Sequence, residues 1–242
     1  MQVLGPPQYI REASIRDPQI RYRWDDWNLD QYLDNPDDSL VVALEPLPHR
    51  ANVAIALGMT EWLVHRFSSL DEDQVPWLII EAAWAQSINR RYSEFIELND
   101  EDWLGPMRRP VQLALENVQE ILVACFDDED TAEETASVSK LVLHVLPHLD
   151  AFLHWRAGVI TRLTKFYVRQ KDDPVGPVIP REALDLSVNF TPNMTDNLVT
   201  RFLAGLDPAT NGWLNTVEVM KELRFNGVPY QWDAERDQDR FL

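Results

Sequence analysis

From position 51 onward the chain places apolar residues at intervals of three and four. Ile55, Met59, Leu63 and Phe67 fall four apart, Trp77, Ile80, Trp84, Ile88 and Phe95 follow, and Val111, Leu115, Val118 and Leu122 make a third stripe. This spacing puts each set on one side of a helix. It predicts helices from Ala51 to about residue 67, over about 73–98 with Pro76 in the first turn, and over about 109–126. Val138, Leu141, Val142 and Val145 carry a fourth helix to Pro147, where a kink or fresh start is expected. Leu149, Phe152, Leu153, Ile160, Leu163 and Tyr167 carry a fifth to about residue 170. Short connections between neighbours predict antiparallel helical hairpins.

The breaks carry information of their own. Ser68-Ser69, the run 99–102 and Gly105-Pro106 interrupt the stripes, and Thr131 followed by Glu134 matches a capping box at the start of the fourth helix. Pro174, Gly176-Pro177 and Pro180 mark a loop, beyond which shorter helices are predicted over 181–187, 194–204 and 215–224. Residues 1–50 lack the helical period. Gly5-Pro6-Pro7, Asp17-Pro18, Asn35-Pro36, Glu45-Pro46 and Leu47-Pro48 break any long helix. One short helix within 21–38, and a strand or buried connector at 40–44, are all the regular structure expected there. The predicted organisation is a proline-rich arm (1–50) packed on a main helical bundle (51–173), with a smaller helical part (174–242) of the same domain and a tail that frays or docks. Eight glycines in 242 residues are too few to turn the strands of a sandwich or open sheet. The fold class is all-α, a multi-helix bundle.

Composition narrows the function. With 45% hydrophobic residues and nine tryptophans the chain can build a core unaided. Its one cysteine, Cys125, ends an apolar stripe and precedes carboxylates, which suits a buried structural thiol and not a nucleophile. Residues 1–16 lack the basic start and apolar centre of a signal peptide, and no run approaches the roughly 18 apolar residues of a membrane span. A cytoplasmic protein without a membrane partner is expected. Forty acidic residues against 22 basic leave a net charge of −18, which repels nucleic acid and attracts basic proteins.

Candidate chemistry is sparse. His144 and His148 stand four apart with His154 beyond, but Pro147 separates the first two and no HExxH motif accompanies them, so no metal site is assigned. His65 has no nucleophile near it in sequence. No GxSxG, phosphate loop or GxGxxG occurs, so no catalytic residue or cofactor is assigned. The run Asp127 to Asp130 lacks the spaced ligands and central glycine of a calcium loop.

What remains is a mixture of acid and aromatic residues. Tyr22 to Trp27 alternate large rings with charge, as does Trp232-Asp233. Tryptophan supplies much interface area with few torsions, and neighbouring acids steer a basic partner. The same rings also suit an anchor that pins the arm to the body. The candidate partner-binding residues are Trp24, Asp25, Asp26, Trp27, Asp30, Asp34, Asp37 and Asp38 in the arm, Asp71, Glu72 and Asp73 after the first helix, and Asp127, Asp128, Glu129 and Asp130.

The whole profile, acidic, single-domain, helical and free of catalytic signatures, resembles that of bacterial toxin-immunity proteins. The resemblance is one of general character over the whole chain. It implies a stoichiometric inhibitor that docks on a basic cognate toxin, such as a nuclease, and occludes its active site. Two other classes fit the same sequence: a helical adaptor or chaperone for a secreted protein, and a helical enzyme with a dispersed His and carboxylate site.

Overall fold

The computed structural model describes residues 4–237. Among them the chain forms α1 (Gln8–Arg11), α2 (Asp38–Leu44), α3 (His49–Phe67), α4 (Val75–Ile88), α5 (Gly105–Phe126), α6 (Ala132–Val145), α7 (Asp150–Phe166), α8 (Thr195–Leu203), α9 (Val217–Glu222) and α10 (Ala234–Asp237), with 3-10 turns between and no strand. The all-α class is as the periodicity predicts.

At the centre lies α3, all nineteen of its residues buried. It packs on α4, α5, α6 and α7, so its apolar stripe widens to the full circumference. Gly58 permits a close approach on the α7 side. A Cβ there would stand 2.7 Å from Leu184 and 2.9 Å from Trp155. The buried cations of this helix have specific work. Arg50 donates to the carbonyls of Gly176, Ile88 and Asp237 at 3.3, 3.2 and 2.8 Å, and Arg66 donates to those of Asp17 and Gln19. Carbonyls of irregular segments lack helical partners, and α3 supplies the donors that hold those segments.

Residues 174–237 share one hydrophobic cluster with the bundle, through Ile179, Leu184, Leu214 and Met220. Arg162 of α7 donates to the carbonyls of Ala183, Asp185, Leu186 and Val188, fastening the loop after the 181–184 turn. The tail docks as far as Asp237: the Arg236 guanidinium lies 4.6 Å over the Phe225 ring, and Asp237 accepts from Asn89 at 2.9 Å. Positions 238–242 of the predicted tail lie outside the described residues.

Several expectations are corrected. The segment 40–44 is helical, because Asp37 accepts from Ser39 N–H at 2.9 Å and caps α2. The helix predicted over 73–98 stops at Ile88, where Asn89 turns extended and its side chain is committed to Asp237, leaving Phe95 outside and half exposed. Pro147 produces a clean break and no kink: α6 ends two residues before it and α7 starts three after. The capping box at Thr131 and Glu134 does not form. Asp130 accepts from the amides of Thr131 and Ala132 at 2.9 and 3.3 Å, while the buried Thr131 hydroxyl accepts from Asn52 Nδ2 and meets His49 Nδ1, both at 3.1 Å. No helix of the described residues is long and apolar enough to cross a membrane.

Candidate partner-binding face

The start of α5 gathers acids from three distant parts of the chain. Gly105 (φ +92°) opens the helix, and its amide points at both carboxylate oxygens of Asp26, 3.2 Å from each. A helix amino terminus carries free N–H groups and partial positive charge, so an acid there is favoured. One turn on, Arg108 donates from Nε to Asp71 at 2.9 Å and from Nη2 to Asp73 at 3.1 Å. Arg109 meets Asp100 at 2.7 Å, and Gln112 meets the same oxygen at 2.8 Å. These two donors hold the Asp100 carboxyl below the usual range.

The arm is pinned to this end of α5 by a gap in the helix ladder. Pro110 stands inside α5 and has no N–H for the carbonyl of Pro106, four residues earlier. The Tyr22 hydroxyl donates to that carbonyl instead. Trp24 stacks on Tyr32 with centroids 4.0 Å apart and 7° between planes, and its indole donates to Asp26 at 2.9 Å. The Tyr32 hydroxyl accepts from the Asp25 amide at 2.7 Å, and His144 Nε2 stands 2.8 Å from the Arg23 carbonyl. Lys140 donates to the carbonyl of Asp34. Trp24 is thus engaged within the arm.

Trp27 is not. Its side chain is 92% exposed, three residues beyond the stacked Trp24 and one beyond the tethered Asp26. It lines an open groove of about 830 Å³, together with Asp26, Asp30, Asp100, Glu101, the half-exposed Leu104 and Arg109, which is paired with Asp100. The result is an exposed indole among carboxylates, set on a stiffened segment.

The other candidate residues divide. Asp25 accepts from the Trp27 amide at 2.9 Å, Asp37 caps α2 with its carboxyl lowered by the Ser39 hydrogen bonds, and Asp38 lies exposed beside it. Asp71 and Asp73 are tied to Arg108, while Glu72 between them faces solvent at a second cavity of about 330 Å³ above Trp77 and Trp103. Asp127 to Asp130 lie at the opposite end of α5, about 30 Å away for 22 helical residues at 1.5 Å each. There Asp130 caps α6, Asp128 stands 3.7 Å from His49 Nε2, and Asp127 and Glu129 are exposed. A standard interface of about 800 Å² centred on Trp27 does not reach them.

His148 and His154 are exposed, and no three His, Cys, Asp or Glu side chains among the described residues form a metal-holding group. Cys125 is buried, and burial, with Asp128 nearby, pushes its thiol up to about 12. Arg108 and Arg109 lie outside the expected site, although the sequence carries a signal for them: cations are disfavoured at a helix amino terminus unless acids are brought to them. The buried pair Glu61 and Arg181, at 2.7 Å, was also missed, and a charge inside the apolar stretch 53–64 was its mark.

Fold and face together define an all-α protein carrying an acid-rich groove with an exposed tryptophan in its lining. No protein-family model, curated protein or solved structure matches the chain.

Proposed function

We propose that the protein is a stoichiometric binding inhibitor of the immunity-protein kind, acting in the cytoplasm by docking on a basic toxin through the Trp27 groove. The observation that carries the proposal is the 92% exposure of Trp27 on a segment fixed on both sides. Leaving a tryptophan in water forgoes its burial, roughly 25 cal/mol for each Å² of apolar surface, and that surface is recovered when a partner covers it. Because Trp24, Tyr32 and Asp26 already hold the segment, docking requires little further ordering. The surrounding carboxylates and the net charge of −18 favour a basic partner and speed its approach. A nuclease, whose cleft is built for phosphate, has that character.

Affinity capture with wild type and Trp27→Asp, followed by an activity titration, tests this. The expected result is one basic protein held at 1:1 by wild type, released by Trp27→Asp or by raised salt, and silenced by one equivalent. Trp27→Asp should melt within about 0.5 kcal/mol of wild type, as an exposed substitution. Capture that is the same for both forms, or unaffected by salt, counts against the proposal.

A further inference from the structure

We propose that the cavity between α4 and α8 binds a small apolar molecule bearing one hydrogen-bond acceptor, a carbonyl or carboxylate, which Arg181 receives. The cavity holds about 270 Å³ and is walled by Trp84 and Ile88 of α4, Ile179 and Pro180, and Leu198 and Phe202 of α8. It lies where the main bundle meets the 174–237 part, and junctions of this kind are common ligand sites.

The polar groups around it are unevenly spent. Glu81 accepts from the Leu4 amide at 3.3 Å and from Asn211 at 2.9 Å, and Glu182 accepts from Arg201 at 2.8 Å. Arg181 donates from Nε to Glu61 at 2.7 Å and from Nη2 to the Gly5 carbonyl at 2.6 Å. Its Nη1 makes no hydrogen bond among the described residues. Arg201 is largely in water and Arg181 is mostly buried, so the spare Nη1 pair of Arg181 is the sheltered donor of this lining, and a ligand that satisfies it brings an acceptor.

Behind the lining, Glu61 fixes that donor. It is 0% exposed, and its Oε1 also accepts from Trp84 Nε1 at 2.8 Å. Its Oε2 is buried without a partner and does not line the cavity. A buried ion pair gains little stability over apolar packing, and an unpaired buried oxygen loses some. What the pair does provide is a guanidinium held in one orientation at the edge of an apolar space. An amine meets Glu81, both of whose oxygens already accept, and Glu182, which is paired with Arg201 and a third exposed to water. This inference is independent of the Trp27 groove, with which the cavity shares no residue.

The test follows the Trp84 indole N–H signal by NMR in the full chain while hexanoate, hexanamide or hexylammonium is added. Ligands of about eight heavy atoms bind with Kd on the order of 1 mM. Hexanoate and hexanamide should give a saturable shift and hexylammonium none. Leu206→Trp, which adds bulk to the lining, should abolish the response. Arg181→Lys keeps the charge beside Glu61 but has three donors on a mobile ammonium in place of five in a fixed fork, and should weaken both acceptor ligands about tenfold. The proposal is overturned by no saturable shift with either acceptor, by an equal response to hexylammonium, by a response surviving in folded Leu206→Trp, or by unchanged affinity in Arg181→Lys.

Discussion

The two ends of α5 are both crowded with acids, yet the acids do different things. At the amino end, Gly105 N–H, Arg108 and Arg109 draw Asp26, Asp71, Asp73 and Asp100 from three separate segments and knit the arm to the bundle. What this leaves exposed is Trp27. At the carboxyl end, a single contiguous run is divided inward: Asp130 starts α6 and reaches Arg169 at 3.3 Å, and Asp128 approaches the buried His49. A cluster made by tertiary collection frames a groove, whereas a cluster made by sequence alone mostly closes a helix junction. Local acid density is therefore a poor guide to a binding face, because a carboxylate's role depends on the donors that reach it.

The sharpest test of this difference is Thr131→Val. Its hydroxyl caps nothing and instead serves the buried Asn52 and His49, so the substitution should cost about 2 kcal/mol in denaturant unfolding, the penalty of orphaned buried partners. A loss near zero would mean the carboxyl-end junction is not organised as described. At the other end, Arg108→Ala should cost about 1 kcal/mol and loosen the loop between α3 and α4, since it frees two carboxylates that then repel. Faster amide exchange across 71–73 is the accompanying readout, and unchanged exchange would break the hub.

Asp130→Ala should lose about 1 kcal/mol as a removed cap, while Glu134→Gln should be neutral or slightly stabilising. Burial raises the Glu134 carboxyl above its usual range, and one of its oxygens has no partner. Equal losses at the two positions would restore the capping box. The smallest effect concerns pH. Burial, with Arg169 nearby, lowers His49 below its ordinary value against the pull of Asp128 and Asp130. The unfolded chain then binds that proton more readily, so His49 removes stability as pH falls below about 6.5. Asp100 at the amino end, lowered by Arg109 and Gln112, removes stability only as pH falls through its own depressed value, below the usual carboxylate range. Between about pH 7 and 5 only the carboxyl end responds, and the melting-temperature gap between wild type and His49→Gln should narrow as pH falls. A constant gap would remove His49 from the account.

Much of the helical framework is legible in the stripes. Val111 to Leu122 and Val138 to Val145 declare their helices because a 3.6-residue period is a local property, needing nothing beyond a dozen neighbouring residues. Boundaries are less legible. Nothing local to Asn89 announces that Asp237 will hold it, and nothing in Thr131-Ala-Glu-Glu134 reveals that Asn52 will claim the hydroxyl. The face is half legible: Trp24 and Trp27 stand out together, three positions apart in the same acidic run. Their separation into one stacked ring and one exposed ring follows from Tyr32 and His144, which the sequence does not place beside them.

By itself, then, the sequence determined the all-α class, the helices of the bundle and the strong negative charge, because periodicity and composition depend only on residue identity and order. Tertiary structure alone decided which acids are spent. An acid is neutralised or left free by donors that arrive from elsewhere, here the Gly105 amide that takes Asp26 of the arm and two arginines that take Asp71, Asp73 and Asp100 at the same helix end.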